Sequence, residues 1–178
     1  INNVETFAHI PFITTEGSDA YRKMGTEKSP GTKIFTISGD IEKPGYYEVA
    51  MGTTLRQLID ELAGGMKGGS KFFAALLGGA AGTFVNDSVL DTPMGFDTLK
   101  EKGATLGSGA IMVMNNTRSL YDMMHSILEF FKHESCGKCV PCRIGTSLLV
   151  SMLEEVKEKK NGNRAEMLEK MKEEAEYM

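Results

Sequence analysis

The sequence predicts an α+β chain: a small mixed sheet packed on one helix, followed by an antiparallel bundle of helices. Three observations carry this reading. Between Lys33 and Asn116, short apolar or alternating runs are punctuated by glycine and proline, with a single helical stripe among them. Beyond Asn116 the apolar spacing becomes that of amphipathic helices. All three cysteines sit in one connection between the first two of those helices.

Residues 1–31 read as a connector, with a short helix over Asp19–Met24 and a turn-rich "GTEKSPG". "KIFTISG" alternates apolar and polar residues as a half-buried strand does. "DIEKPG" is a turn and "YYEVA" the returning strand of a hairpin. "TTLRQLIDELAGG" is a helix capped by Thr53 or Thr54, with Leu55, Leu58, Ile59 and Leu62 as its stripe and Gly64 and Gly65 as its stop. "KFFAALLGGAAGTFV" gives two short strands around a glycine turn, and "AIMVMNN" a last strand.

Three helices follow. Leu120, Met124, Ile127, Leu128 and Phe131 mark the first; Ile144, Leu148, Leu149, Met152, Leu153 and Val156 the second. Met167, Leu168, Met171, Ala175 and Met178 mark the third, after an "NGN" break at Asn161–Asn163. Short connections make such helices antiparallel neighbours. The methionines at helical positions read as core packing rather than a partner surface.

A net charge of −4 and the absence of a basic block argue against a nucleic-acid partner. Apolar runs such as Phe72–Leu77 are too short to span a bilayer, and no signal peptide is visible. "INNVETFAHIPF" reads as mid-sequence text, so a fragment is expected. "LLGGAAGTF" lacks the lysine and hydroxyl residue of a phosphate loop and reads as a tight turn. His125 reads as surface or helix packing, and no catalytic triad or carboxylate pair stands out, so no catalytic residue is assigned.

The chemistry is concentrated in "HESCGKCVPCRIGT", where Cys136, Cys139 and Cys142 recur at every third position. An odd number of clustered cysteines is a poor disulfide framework and fits reduced thiolates. Gly137 permits unusual dihedrals, and Pro141 is expected to keep the loop from becoming regular helix, so that the next helix starts just after Cys142. That start would turn N–H groups and a positive dipole end toward the thiolates, with Lys138, Arg143 and His133 adding charge. Three readings stay open on the residues alone. The spacing matches three of the four ligands of a ferredoxin-type [4Fe–4S] cluster. His133 would extend it to a Cys3His zinc site. The loop could also hold no guest, as a redox or structural element.

"ESCGKCVPCRIGT" resembles the cluster motif of the NADH-binding flavoprotein subunit of respiratory complex I, and of the diaphorase subunits of NAD(P)-linked hydrogenases and formate dehydrogenases. "INNVET" is similar to the segment closing that family's flavin domain. "GTEKSPGTKIFTISGDIEKPGYYEV" is similar to the opening of its soluble-ligand-binding β-grasp (SLBB) domain, and "LDTPMGFDTLKEKGATLGSGAIMVMN" to the exit from it. The resemblance implies an SLBB domain over 32–117 and an iron–sulfur-binding helical domain over 118–178, cut before a fourth cluster cysteine. It implies Cys136, Cys139 and Cys142 as metal ligands, and Asn2 and Asn3 as remnants of an FMN-phosphate site whose FMN/NADH-binding domain would precede Ile1. Implied too are hydride transfer from NAD(P)H to FMN, single-electron export through the cluster, and a cytoplasmic or membrane-peripheral complex that includes a [2Fe–2S] thioredoxin-like subunit. A non-enzymatic, zinc-stabilised interaction module is the competing reading.

Overall fold

The computed structural model describes residues 1–158 and 164–177. It divides into two compact units, Ile1–Arg118 and Ser119–Met178.

The first unit opens with α1 (Val4–Glu16) and α2 (Ser18–Arg22). Only the second answers to the short helix expected in the connector; the thirteen residues of α1 go beyond that expectation. Pro11 inside the run argues against a helix, because it removes an N–H and crowds the preceding turn. Tertiary anchoring offsets that cost. The Glu5 carboxylate accepts the Ile34 N–H at 2.8 Å and pairs with Lys33 at 3.0 Å. Burial pushes the Glu5 carboxyl up, but the Ile34 N–H and Lys33 outweigh it and leave it below the ordinary value.

The sheet is built from β1 (Thr32–Gly39), β2 (Gly45–Ala50), β3 (Phe72–Leu77), β4 (Thr83–Val85) and β5 (Ala110–Asn115) in the order β2-β1-β5-β3-β4. The two hairpins and the β3–β5 pair are antiparallel, and β1 runs parallel to β5. Alternation in β1 places Phe35 and Ile37 in the core and leaves Ile34 exposed, as its pattern requires. Gly39 has φ +98°, and a Cβ there would collide with the Val113 carbonyl where β1 pairs with β5. Only glycine fits this position.

α3 (Leu55–Gln57) starts at a capping box in which the Thr54 hydroxyl and the Gln57 side chain each accept the other's N–H. It continues as a π-helical turn over Leu58–Leu62, closed by the Ala63 N–H on the Leu58 carbonyl at 2.9 Å. The expected stripe is corrected at one place. The wider turn rotates Leu62 outward, 37% exposed, and puts Ala63 fully inside. Leu55, Leu58, Ile59 and Ala63 then close the core over Phe35, Ile37, Leu77 and Val113. α4 (Phe96–Glu101) precedes β5 and buries Leu99. This is the mixed five-stranded α+β arrangement that the sequence predicts.

The second unit comprises α5 (Leu120–Glu134), α6 (Val140–Glu158) and α7 (Arg164–Glu176). Contacts pair Asp122 with Lys157, His125 with Glu154 and Ser135 with Cys142, so α5 and α6 are antiparallel. The core is Leu149, Leu153, Val156, Met167 and Met171, flanked by Tyr121, Met124, Leu128 and Met152. Ile144, Leu148 and Leu168 lie on the stripes expected from sequence yet are exposed. The "NGN" break and Met178 fall outside the described residues.

Candidate metal centre

The cysteine loop is the connection between α5 and α6. α5 ends at Glu134 without a glycine stop; Ser135 turns the chain to extended backbone, φ −60°, ψ 124°. Gly137 then takes φ +71°, where a side chain would meet strain although there is room for it. Its carbonyl accepts from the Arg143 guanidinium at 3.1 Å, and its N–H donates to the Ser135 hydroxyl at 3.3 Å. The loop is thus tied from both ends.

α6 begins at Val140, which corrects the expected start after Cys142. Pro141 lies in the first turn, where its absent N–H costs nothing because first-turn donors have no intrahelical acceptor. The Arg143 N–H reaches the Cys139 carbonyl at 2.9 Å, so Cys139 stands directly before the helix. Cys142 sits inside the first turn, where its carbonyl accepts the hydroxyl of buried Thr146 at 2.8 Å.

All three thiols are free; Cys136 and Cys139 are exposed and Cys142 is half-buried. Among the described residues, the one group of three or more His, Cys, Asp or Glu donors within 4.8 Å of one another is His125, Glu129 and Glu154. The cysteines, with or without His133, do not form such a group. Three sulfurs on a single tetrahedral zinc would lie about 3.8 Å apart, given Zn–S bonds of about 2.3 Å. A polynuclear cluster, whose cysteines each bind a different iron, asks for wider spacing. Three thiolate donors beside a helix start suit an iron–sulfur cluster. His125, Glu129 and Glu154 already have side-chain partners: His125 Nε2 lies within hydrogen-bond distance of the Glu154 carboxylate at 3.1 Å, and Glu129 pairs with Lys132 at 3.0 Å.

Asn2 and Asn3 are exposed in the first unit, whereas the cysteines belong to the second. The Asn3 side-chain carbonyl accepts the Glu5 and Thr6 N–H groups at 2.8 and 3.4 Å, capping α1. Sequence reasoning passes over Ser135, whose hydroxyl lies 3.3 Å from the Cys142 sulfur. The available signal is a serine at a helix exit beside a cysteine, since such hydroxyls commonly bond nearby backbone groups.

Residues 122–178 match the family model described as the NADH-ubiquinone oxidoreductase-F iron-sulfur binding region, and residues 34–83 match the SLBB domain. The chain is 42% identical over 156 residues to the NADH-quinone oxidoreductase F 2 subunit of Rhizobium meliloti (strain 1021), covering 88% of this chain and 37% of that protein. It is 37% identical over 153 residues to the NADH-quinone oxidoreductase F subunit of Escherichia coli (strain K12), covering 86% and 34%. It therefore spans little more than a third of the length of these relatives. Among solved structures, an NAD+-reducing [NiFe]-hydrogenase in its H2-reduced state superimposes with a TM-score of 0.83 at 32% identity, over 99% of this chain and 29% of that one. The chain thus carries, in order, a stretch similar to the SLBB domain and a stretch similar to the NADH-ubiquinone oxidoreductase-F iron-sulfur binding region, and over most of its length it is similar to NADH-quinone oxidoreductase F subunits and to a subunit of an NAD+-reducing hydrogenase.

Proposed function

We propose that this chain serves the electron-exporting half of an NAD(P)H-oxidising flavoprotein subunit, with Cys136, Cys139 and Cys142 as three ligands of a [4Fe–4S] cluster. The observation that carries the proposal is the three free thiols at the start of α6 inside the matched iron–sulfur binding region. When bound, the cluster supplies one-electron chemistry. The chain's own residues give it thiolate ligands, the N–H groups of the α6 start and a loop fixed by Arg143. The fourth iron takes a donor outside these three cysteines.

In the whole protein, hydride from NAD(P)H would enter at FMN, and Asn2 and Asn3 would contribute to the flavin-phosphate site. The Asn3 carbonyl is spent on the helix cap, which leaves its amide N–H groups for a ligand. The receiving partner would be another member of a multisubunit redox complex, with a [2Fe–2S] thioredoxin-like subunit as one neighbour. The names of the relatives, subunits of an NADH-quinone oxidoreductase and an NAD+-reducing hydrogenase, support this reading.

The test is anaerobic reconstitution of the full-length protein with iron and sulfide, read by iron and sulfide analysis and by EPR after reduction. Cluster uptake abolished by Cys139→Ala is the expected result. Stoichiometric zinc without iron uptake would replace this reading with the zinc-stabilised interaction module.

A further inference from the structure

We infer that the Ser135 hydroxyl is a hydrogen-bond donor to the Cys142 sulfur that raises the reduction potential of the cluster. The inference rests on the reading of the cysteines as cluster ligands. The Ser135 oxygen lies 3.3 Å from the Cys142 sulfur and 3.3 Å from the Gly137 nitrogen. A hydroxyl carries one proton and two acceptor lone pairs. The Gly137 N–H occupies a lone pair, so the hydroxyl proton is available to the sulfur. Once Cys142 binds metal it has lost its own proton, and the bond then has one possible direction, from serine to thiolate.

Such a bond to an ionised acceptor is shorter and stronger than a neutral one. Reduction places further negative charge on the cluster and its sulfurs, so the donor stabilises the reduced form more than the oxidised one. Hydrogen bonds to sulfur are among the main determinants of these potentials. Arg143 is the obvious competitor for the role. Its Nη1 donates instead to the Gly137 carbonyl at 3.1 Å, which helps to fix Gly137, the residue whose N–H donates to the Ser135 oxygen. Arg143 thus orients the loop, and Ser135 supplies the proton. Cys136 and Cys139 are more exposed than Cys142, so solvent acts more on them and the fixed donor more on Cys142.

The test is a redox titration of the reconstituted full-length protein, following the EPR signal of the reduced cluster, for wild type, S135A and S135T. S135A is expected to shift the reduction equilibrium about tenfold toward the oxidised form, about 59 mV for one electron, at unchanged iron and sulfide content. S135T keeps the hydroxyl and should stay near wild type. Equal midpoints in wild type and S135A at equal iron content overturn the inference while leaving the cluster in place. Where S135A loses iron, the shape-matched pair S135T and S135V decides. A lower potential in S135V supports the donor, and equal potentials overturn it. A wild-type protein that takes up no iron or sulfide removes the ligand reading itself, and the inference with it.

Discussion

Asp40 shows how one residue can fix the end of a sheet. Its buried carboxylate accepts Arg118 Nε and Nη2 at 2.9 and 2.7 Å and the Asn115 N–H at 3.1 Å. The Arg118 guanidinium, with the Asn115 N–H, outweighs burial and holds the carboxyl below its ordinary value of 3.8. Asp40→Ala strands the Asn115 N–H and is expected to cost the first unit about 2 kcal/mol by urea denaturation. The sign of the pH effect follows from the lowered folded value. The contribution is complete above the unfolded value of 3.8 and is lost as pH falls from there through the folded one. Glu5 acts in the same direction, so acid titration of stability should flatten in Asp40→Asn, where one of the two carboxylates is gone. In the cysteine loop, Gly137→Ala forces a side chain to φ +71° and should cost about 1 kcal/mol. It is expected to slow cluster uptake while leaving far-UV circular dichroism unchanged.

Elements obey their patterns until tertiary contacts intervene. The Thr54 cap is legible because a hydroxyl three residues before Gln57 is a capping signature; Thr54→Ala should lower stability by about 1 kcal/mol. The π turn at Leu58–Leu62 is not legible, because Leu62 and Ala63 both suit an apolar stripe and packing chooses between them. The start of α6 escapes the sequence for a related reason. Proline excludes helix interiors but suits the first turn, and spacing alone does not say which applies at Pro141. α1 is hidden by Pro11, although Asn3 before Val4 is a capping signal. In α6, Leu153 is 2% exposed at the centre of the helical core. Leu153→Ala should destabilise that unit by about 3 kcal/mol, seen as a lower thermal midpoint of its helical signal.

At the scale of the whole chain, each unit owns a separate hydrophobic core, and the cysteines fall in the smaller one. Ligand binding stabilises the fold that holds the ligand. Cluster loading should therefore slow amide exchange most in α5 and α6, and hydrogen-exchange mass spectrometry with and without iron would measure it. Undiminished exchange in both helices after loading would contradict the cysteine assignment. Among the described residues, no helix is long and apolar enough to cross a membrane.

The sequence by itself determined the strands, their hairpins, the three C-terminal helices and the cysteine triplet, because periodicity and turn chemistry are local properties of the chain. It also carried the resemblance to the matched relatives, through a motif whose residue order survives without the fold. Only the tertiary structure decided that Glu5 anchors an unforeseen helix, that Ala63 replaces Leu62 inside, and that Ser135 lies against the Cys142 sulfur. Each of these depends on groups brought together by packing, and their meeting leaves no period in the sequence to be read.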